Sequence, residues 1–424
     1  MTALRAHQLR AIDGVRAAFR RHRRVLLVAP TGFGKTHTAA SLIAWAVEKG
    51  RRVLFLVHRR EIVNDTHRRL VAAGVACGRI MAGEIPTTAP VQVASIQTLD
   101  AREQHPPADL VIWDEAHHAA AETYRSIAAQ YPTAWHLGLT ATPVRSDGVG
   151  LRDAFDEIVV GATIAELVAG GFLAAIDVIA PPTRIAGVAE APGDAWARLA
   201  GGRPTVAFTR TVAESKDLAA DLTARGVVAL HIDGGTATGP RDQALSLFAQ
   251  GRAQVLCNVF VLTEGWDCHR AEVCLLARGC GSDATFIQMV GRVRRTTARA
   301  LLIDLGGVVH EHGHPDEPRE YTLDGMGRVK RARPWITQCL ACGLVVEGAK
   351  RGERCPQCGA AWPAPKPMRV KAAKLDTAII VPRAVKDAEL ARLAATARER
   401  GYRPGWVGIR FKERFGHWPA GRIA

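Results

Sequence analysis

The first 160 residues alternate short apolar runs with segments of helical period. Such runs are typical of strands buried on both faces of a parallel sheet. They occupy residues 25–29, 53–58, 91–97, 110–115 and 136–142. The helical pattern after the first run ends at Gly50, a common stop signal. The pattern therefore predicts a doubly wound α/β domain.

A second set of apolar runs follows a region rich in Gly, Pro and Ala. These runs occupy residues 205–210, 227–232, 253–259, 272–278 and 300–305. We therefore predict two α/β domains in tandem, followed by a small cysteine unit and a helical tail. The predicted bounds are 1–165 for the first domain, 166–203 for a linker, 204–324 for the second domain, 325–365 for the cysteine unit and 366–424 for a basic linker with a helical tail.

Positive charge is concentrated near the C-terminus. The 424 residues carry a net charge of +15, and residues 325–424 hold 21 Lys and Arg against 7 Asp and Glu. A basic segment favours a polyanionic partner, most often nucleic acid. A solubilising tail or a compositional bias toward arginine would give the same charge, so both stay open.

The N-terminal residues lack the apolar core of a signal peptide. The sequence also has no uninterrupted apolar run of about 18 residues, the length that a membrane span needs. We therefore expect a cytoplasmic protein without a membrane partner.

Residues 29–36, APTGFGKT, follow a strand and open a helix, the context of a phosphate-binding loop. Lys35 is expected to reach the β- and γ-phosphates of ATP, and Thr36 to bind Mg²⁺. The other loop residues expected to contact the nucleotide are Thr31, Gly32 and Gly34. Phe33 is unusual in such a loop; we expect it to pack or to lie near the cleft between the domains, so that Phe33→Ser leaves nucleotide binding nearly intact.

An acidic pair ends the strand at residues 110–115. In the same sheet as a phosphate loop, such a pair is typical of a Mg²⁺ and water site. Asp114 is expected to hold Mg²⁺, and Glu115 to orient and deprotonate the attacking water.

Taken in order, these motifs resemble a superfamily 2 helicase of the DEAD/DEAH-box group, which implies two RecA-like domains. By that resemblance Gln8 would recognise adenine. Contacts to nucleic acid would come from Arg59, Gln97 and Thr98. Coupling of hydrolysis to movement would come from His117, Thr140 and Thr142.

The second domain continues the resemblance. Thr263 would contact nucleic acid, while Gly265 and Asp267 would approach the ribose and phosphates of ATP. In QMVGRVRR, residues 288–295, three side chains recur at i, i+4 and i+7 and are predicted on one helix face. The resemblance makes Arg292 and Arg295 arginine fingers and Gln288 a water-positioning residue. A solvated arginine-rich helix face is the alternative.

Two CxxC pairs lie near the C-terminus: Cys339, Cys342, Cys355 and Cys358. Each second cysteine precedes glycine, and four thiolates so spaced favour structural Zn²⁺ in a zinc ribbon. The other five cysteines are expected mainly as buried small hydrophobes. The histidines of residues 310–315 are expected in a surface loop rather than in a second metal site.

The tail mixes aromatic and basic residues. Val407, Phe411 and Phe415 recur at helical spacing and predict a small core stripe. Basic residues would then point outward, namely Arg403, Arg410, Lys412 and Arg414. Motor, zinc ribbon and tail together resemble the RadD-like branch of the superfamily, found in bacteria and phages.

These observations predict an ATP-dependent DNA helicase or translocase that uses ATP, Mg²⁺ and Zn²⁺. Its partners would be nucleic acid, DNA in the first place, and other DNA-processing proteins in repair, recombination or phage DNA metabolism. An RNA helicase and the motor of a restriction system stay open as alternatives. A non-catalytic DNA-binding adaptor is disfavoured, because the residues expected for hydrolysis are all present.

Overall fold

The computed structural model of the chain describes residues 3–58, 60–81, 87–102, 105–118, 122–145, 149–181, 187–263, 266, 268–295, 299–328, 336–339, 341–347, 353–361, 383–403 and 405–415. The chain divides into two compact units, residues 1–364 and 365–424. The first unit holds both predicted α/β domains and the cysteine pairs, and the second holds the tail.

Seven parallel strands form the first sheet. They are β1 (Arg24–Val28), β2 (Val53–Val57), β3 (Cys77–Ile80), β4 (Val91–Ser95), β5 (Leu110–Trp113), β6 (Trp135–Thr140) and β7 (Glu157–Val160). Their spatial order is β3-β4-β2-β5-β6-β1-β7. The central strands β2, β4 and β5 are buried at every residue, which is why they appear in the sequence as continuous apolar runs.

Helices cover both faces of this sheet. They are α1 (Ala6–Ala18), α2 (Lys35–Glu48), α3 (Arg60–Ala72), α4 (Ile96–Asp100) and α5 (Glu122–Ala129), with a 3₁₀ turn at Ala116–His118. Alternate residues of β1 belong to different cores: Val25 and Leu27 to one face, Leu26 and Val28 to the other. The sheet is therefore covered on both sides, as a doubly wound domain requires.

The second sheet has six parallel strands and two antiparallel ones. Its strands are β8 (Ile176–Ile179), β9 (Thr205–Thr209), β10 (Ala229–Ile232), β11 (Val255–Asn258), β12 (Val273–Ala277), β13 (Ala300–Asp304), β16 (Ile336–Gln338) and β17 (Leu344–Glu347). The order is β10-β11-β9-β12-β13-β8-β17-β16, and β16 and β17 are antiparallel to their neighbours. The helices are α6 (Ile164–Ala169), α7 (Pro192–Leu199), α8 (Val212–Ala224), α9 (Thr238–Ala249), α10 (Asp283–Gly291) and α11 (Val309–His312). The predicted fold class, two tandem doubly wound α/β domains, is confirmed.

The segment expected to be a linker, residues 166–203, contains regular structure. Strand β8 pairs in parallel with β13, so the second sheet begins at Ile176. Its four residues include Asp177, which interrupts the apolar pattern and hides the strand from a reading of hydrophobicity alone.

A hairpin connects the second domain to the first. We call residues 319–328, β14 (Arg319–Thr322) and β15 (Gly325–Arg328), the strap. The carbonyl of Leu323 at its turn accepts hydrogen bonds from the N–H groups of Leu151 (2.7 Å) and Arg152 (3.0 Å). The Leu323 side chain is buried in the first domain's core, and Arg152 donates two hydrogen bonds to Asp324.

The cysteine unit is joined to the second sheet. Strand β17 follows the first CxxC pair and pairs with β8 at Leu344–Ile179 and Val345–Val178. The sequence predicted a separate small unit, but this hairpin extends the sheet by two strands. Its position was hidden because β8 itself was not recognised.

The second unit is a helix pair, α12 (Arg383–Glu399) and α13 (Gly405–Phe415). Val407 and Phe411 are buried against Leu393 and Ala397, as the predicted core stripe requires. The side chain of Phe415 lies outside the described residues. The basic residues Arg403, Arg410, Lys412 and Arg414 are exposed.

Across the described part of the chain, every helix is too short or too polar to cross a bilayer.

Candidate functional site

The phosphate loop lies between the end of β1 and the start of α2. Gly32 and Gly34 have φ values of 90° and 91°, in the left-handed region that favours glycine. Gly34 is the N-cap of α2, so the loop directs backbone N–H groups and the helix N-terminus toward one point. This is the geometry that binds phosphate.

Lys35 points into the cleft beside this loop. Its Nζ donates a hydrogen bond to the carbonyl of Ala29 at 3.1 Å. Burial lowers the pKa of Lys35, and the neighbouring Glu115 and Asp114 carboxylates oppose that shift. The buried lysine ammonium is suited to an anionic ligand. The two carboxylates beside it are suited to a cation that such a ligand carries with it.

Asp114 and Glu115 follow β5, two strands away from β1 across β6. Burial and the adjacent Glu115 raise the pKa of Asp114. Glu115 has φ 48°, a left-handed conformation that is uncommon for a residue with a side chain. Strain of this type concentrates at functional sites, because it fixes a side chain in a direction that relaxed backbone would not give.

His117 connects the acidic pair to the end of β6. Its Nδ1 lies 3.5 Å from Glu115 Oε2 and 3.3 Å from Thr140 Oγ1. The Thr140 hydroxyl donates to the carbonyl of Thr142 (2.7 Å) and accepts from the Thr142 N–H (3.1 Å). The three residues expected to couple hydrolysis to movement thus form one buried chain of contacts that begins at Glu115.

Gln8 lies against the phosphate loop. Its Nε2 donates to the carbonyl of Phe33 at 3.1 Å, and its Oε1 accepts from the N–H of Arg5 at 3.0 Å. A β-carbon at Gly34 would lie 2.4 Å from Gln8 Nε2. Gln8 therefore fixes the loop, and it also lines the cleft.

The side chain of Phe33 is fully buried beneath the loop. Its ring lies 4.9 Å from the His7 ring, and a β-carbon at Gly161, after β7, would lie 2.9 Å from it. The expectation that Phe33 packs is confirmed. The expectation that Phe33→Ser leaves nucleotide binding nearly intact stays a prediction. The full burial adds a cost in stability that the sequence did not indicate, because a hydroxyl would replace a ring in the core.

The second domain contributes the opposite wall of the cleft. Helix α10 ends at Gly291, so the expected single helix face through residue 295 does not form. Arg292 is the C-cap and is buried; its guanidinium donates to the carbonyls of Thr263 and Trp266. Arg295 lines the cleft, where burial, with Arg69 nearby, lowers its pKa to about 10. Gln288 is buried within α10.

Glycines allow the two walls to touch at the loop. A β-carbon at Gly291 would lie 2.9 Å from Cβ of Thr31, and one at Gly32 would lie 2.5 Å from Leu173. The Arg294 side chain donates a hydrogen bond to the carbonyl of Ala174, and the N–H of Ala174 donates one to the carbonyl of Arg294. The structure is therefore a closed arrangement of the two domains.

The closed cleft has a volume of about 1220 Å³. From the first domain it brings together the predicted residues Gln8, Thr31, Gly32, Gly34, Lys35, Thr36, Asp114 and Glu115, and from the second domain Arg292 and Arg295. It also contains residues that sequence reasoning missed, namely Arg5, Asp65, Arg69, Phe172, Trp266, His269 and Arg299. Trp266 lies within the motif that contains Thr263, Gly265 and Asp267 but was not singled out, and the others lie outside the motifs that were recognised.

The residues predicted to contact nucleic acid are less concentrated in one place than the residues that line the cleft. Gln97 is exposed in the first turn of α4, where Ser95 Oγ caps the helix by accepting from the N–H of Thr98. Thr263 is buried. Arg59, Gly265 and Asp267 lie outside the described residues.

The four cysteines of the CxxC pairs form one cluster. Their sulfur atoms all lie within 4.8 Å of one another, with Cys339 to Cys358 at 3.5 Å and Cys342 to Cys355 at 3.6 Å. The two pairs have the same turn: Gly343 N–H donates to the Cys339 carbonyl and Gly359 N–H to the Cys355 carbonyl, each at 2.8 Å. Four sulfurs converging from two matched turns fit tetrahedral Zn²⁺.

Within the described residues this is the only group of three or more His, Cys, Asp and Glu side chains that could together hold a metal ion. The surface loop predicted at residues 310–315 is wrong for His312, which is buried. Its ring contacts Asp283 and the carbonyl of Cys280, so it packs α11 against the start of α10.

Two family descriptions match the chain. Residues 1–145 match "Type III restriction enzyme, res subunit", and residues 194–297 match "Helicase conserved C-terminal domain". The first match contains the phosphate loop and the acidic pair, and the second contains Arg292 and Arg295.

Three curated proteins illustrate the relationship. A 51.5 kDa protein of Lactococcus phage (isolate 7-9) is 29% identical over 363 residues, 80% of this chain and 75% of that protein. The Type I restriction enzyme EcoAI endonuclease subunit of Escherichia coli is 31% identical over 191 residues, 41% of this chain and 24% of the subunit. The DNA 3'-5' translocase XPB2 of Sulfurisphaera tokodaii is 28% identical over 147 residues, 34% and 32% of the two chains. The chain thus spans most of the phage protein but a third or less of the other two.

Solved structures share the fold. The ATP-dependent Type ISP restriction-modification enzyme LlaBIII bound to DNA aligns with a TM-score of 0.55 and 17% identity, covering 72% of this chain and 28% of that chain. S. cerevisiae Dbp5 bound to RNA and ADP BeF3 aligns with a TM-score of 0.54 and 16% identity, covering 70% and 82%. At such identities the likeness is one of fold. The two domain matches, the tandem sheets and these relatives together relate the chain to the ATP-dependent helicases and translocases of superfamily 2.

Proposed function

We propose that the protein is a DNA-dependent ATPase that moves along or remodels DNA. The observation that carries the proposal is the divided site: Lys35 and Glu115 come from the first sheet, and Arg295 comes from the second. Closure of the cleft completes such a site, and opening dismantles it, so hydrolysis becomes coupled to domain movement.

Each residue has a defined task in this proposal. The loop glycines and Lys35 bind the phosphates of ATP, and Thr36 and Asp114 hold its Mg²⁺, which neutralises the charge of the transferred phosphoryl group. Glu115 accepts the proton of the attacking water. Arg292 and Arg295 stabilise the charge that develops, and Gln288 supports the position of the water from α10.

The buried contacts of His117 give the proposed coupling route. A change of nucleotide charge beside Glu115 reaches Thr140 through His117, and Thr140 fixes the turn at Thr142. Because that turn follows β6, it lies next to the acidic pair in the sheet.

DNA is the proposed substrate because the relatives include a DNA translocase and a DNA-bound restriction enzyme. We also propose a role in phage or bacterial DNA metabolism in the cytoplasm; the relative from a Lactococcus phage supports the phage setting alone. A second candidate, the motor subunit of a restriction system, is favoured by the match of residues 1–145 and by the EcoAI subunit. RNA remains an outcome of the test, since the fold is shared with RNA-bound Dbp5.

One assay tests the proposal: ATP hydrolysis by the full chain with single-stranded DNA, duplex DNA, forked DNA or RNA. We expect the largest stimulation from DNA. Equal rates with and without every nucleic acid would contradict the motor function, and stimulation by RNA alone would replace the proposed substrate.

Two variants separate binding from turnover in the same assay. Lys35→Ala should abolish hydrolysis, and Arg295→Ala should lower its rate by roughly 10³-fold or more, the range for arginines supplied across a cleft. Both variants should still bind DNA. Arg198→Ala is the matched control, because its guanidinium pairs with Glu190 away from the cleft.

A further inference from the structure

Phe260 has an unusual combination of backbone conformation and exposure. Its φ is 59°, and it shares a positive φ only with Glu115 among the described residues other than glycine. Its side chain is 46% exposed. An aromatic residue in this conformation is strained relative to glycine, and a ring that is only about half buried recovers less of that cost than a core residue does. Stability therefore does not explain Phe260.

The turn that carries Phe260 is held firmly. Asn258, the fully buried last residue of β11, donates to the carbonyl of Ala207 (2.9 Å) and accepts from the N–H of Leu262 (3.3 Å). The N–H of Thr263 donates to the carbonyl of Phe260 at 3.1 Å. The surrounding contacts thus impose the strained conformation, which is the arrangement found where strain serves a site.

One face of the Phe260 ring is covered by a cation. The Arg278 guanidinium carbon lies 3.7 Å from the ring centroid. Arg278 is itself anchored by hydrogen bonds to the carbonyls of Gly279 (3.0 Å) and Thr209 (3.4 Å). The ring is therefore fixed in orientation while nearly half of it stays accessible.

A groove of about 770 Å³ opens at the carboxyl ends of β9 and β12, and Arg278 of this pair is one of its lining residues. Its basic walls are Arg210 and Arg278, and its apolar walls include Val188, Pro192 and Leu218. Its carboxylates are mostly neutralised: Glu214 pairs with Arg210 at 2.7 Å and Asp221 with Arg225 at 3.0 Å, which leaves Asp217. Its lining has two arginines against three carboxylates, so a row of phosphates would not be attracted here, whereas a flat, weakly polar ring fits.

Resting on the proposed function, we propose that Phe260 and Arg278 form a stacking platform for a nucleobase of single-stranded DNA. An aromatic face backed by a guanidinium is the surface on which bases stack irrespective of sequence. The platform follows β11 and lies three residues before Thr263. It would hold one unstacked base at the edge of the second sheet, so that movement of this domain carries the strand with it.

The test compares Phe260→Leu and Phe260→Gly with the full-length wild type, using an oligonucleotide that contains 2-aminopurine. Removal of one stacked base costs about 1–3 kcal/mol, so the affinity for the oligonucleotide should fall by roughly 5- to 150-fold. Quenching of 2-aminopurine fluorescence should disappear, while affinity for an abasic strand of equal length should be the same for variants and wild type. Unchanged affinity and quenching in both variants would overturn the platform, and so would an equal decrease on the abasic strand.

Two controls make the result specific. Val228→Ala changes another exposed apolar residue of the same domain. Val228 is 53% exposed and lies just before β10, at the amino ends of the strands, so this variant should leave affinity unchanged. The melting temperature of Phe260→Gly should not fall, because glycine relieves the strain; a fall would show that the ring serves stability instead. Failure of the wild type to bind or respond to any nucleic acid would instead contradict the proposed function itself.

Discussion

At the scale of single residues, the phosphate loop serves two purposes at once. Its backbone and Lys35 face the cleft, while Phe33 faces the core and contacts His7 and the chain at Gly161. The sequence position of Phe33 indicated proximity to phosphate, but its environment is that of a core residue. Packing of Phe33 therefore anchors the loop to the core of the first domain.

Phe33→Ser should therefore lower the free energy of unfolding by at least about 3 kcal/mol, the lower bound for removing a buried phenylalanine. The buried hydroxyl adds to that decrease. Urea unfolding followed by fluorescence measures it. Leu9→Ser is the control, because Leu9 is 48% exposed on α1; equal stability of the two variants would contradict the packing role.

The residues of the cleft differ in how far they could be predicted. Lys35, Asp114 and Glu115 follow apolar strands and lie in short patterns with a known chemistry, so the sequence indicated them. Leu173 meets the loop at Gly32 and Arg69 lines the cleft from α3, both through contacts between segments far apart in the chain. No local pattern encodes which surfaces meet, and that is why such residues were missed.

At the scale of elements, the strands were predicted where burial was complete on both faces. The edge strands were not predicted, because β3 is buried at alternate residues only and β7 is half-buried to exposed. Helix α10 was predicted, but its end at Gly291 was not, because the arginines that follow have good helical propensity. Beyond that end, the backbone N–H groups of Arg292 and Val293 bond to carbonyls three residues back, those of Met289 and Val290.

Gly291→Ala tests whether close approach of α10 to the phosphate loop matters for hydrolysis. The new β-carbon would lie 2.9 Å from Cβ of Thr31, and such overpacking costs roughly 1–3 kcal/mol in the closed state. We expect kcat/KM for ATP to fall by about 5- to 100-fold, with an unchanged melting temperature. In Gly281→Ala, just before the same helix, the β-carbon meets nothing within 4 Å, so hydrolysis should be normal. Normal hydrolysis in both variants would contradict the closed contact.

The cysteine cluster should stabilise the second sheet and not only its own turns, because β17 pairs with β8. Cys342→Ser should abolish zinc binding, lower the melting temperature and speed hydrogen exchange in Ile176–Ile179. Treatment of the wild type with a chelator should have the same effects. Cys77→Ser, which lies outside the cluster, should retain the metal; undisturbed exchange in β8 after removal of the metal would show that the hairpin is stable alone.

At the scale of the whole molecule, much of the net positive charge lies in a part of the chain that forms a compact unit of its own. Residues 365–424 form their own compact unit and carry 14 Lys and Arg against 5 Asp and Glu. Removal of all residues from 325 onward would also remove half of the strap and two strands of the second sheet. A truncation after residue 364 is therefore the clean test of the basic tail.

Without residues 365–424, we expect weaker binding to duplex DNA and a smaller dependence of affinity on salt. The log–log slope should fall by about 0.9 for each phosphate that the tail no longer neutralises. Replacement of the exposed Arg403, Arg410, Lys412 and Arg414 by Gln should give part of the same change without truncation. An unchanged slope in both proteins would show that the tail does not contact DNA.

The strap limits the motions open to this molecule. The linker residue Leu173 packs into the core on one face of the first sheet, together with Leu27, whereas Leu323 of the strap packs on the other face, together with Leu26. The second domain is thus tethered to both sides of the same sheet. A domain attached at two points rotates most freely about the line that joins those points. Opening and closing of the cleft should accordingly be a rotation about one fixed axis. The positions of the linker and the strap in the chain set the direction of that axis.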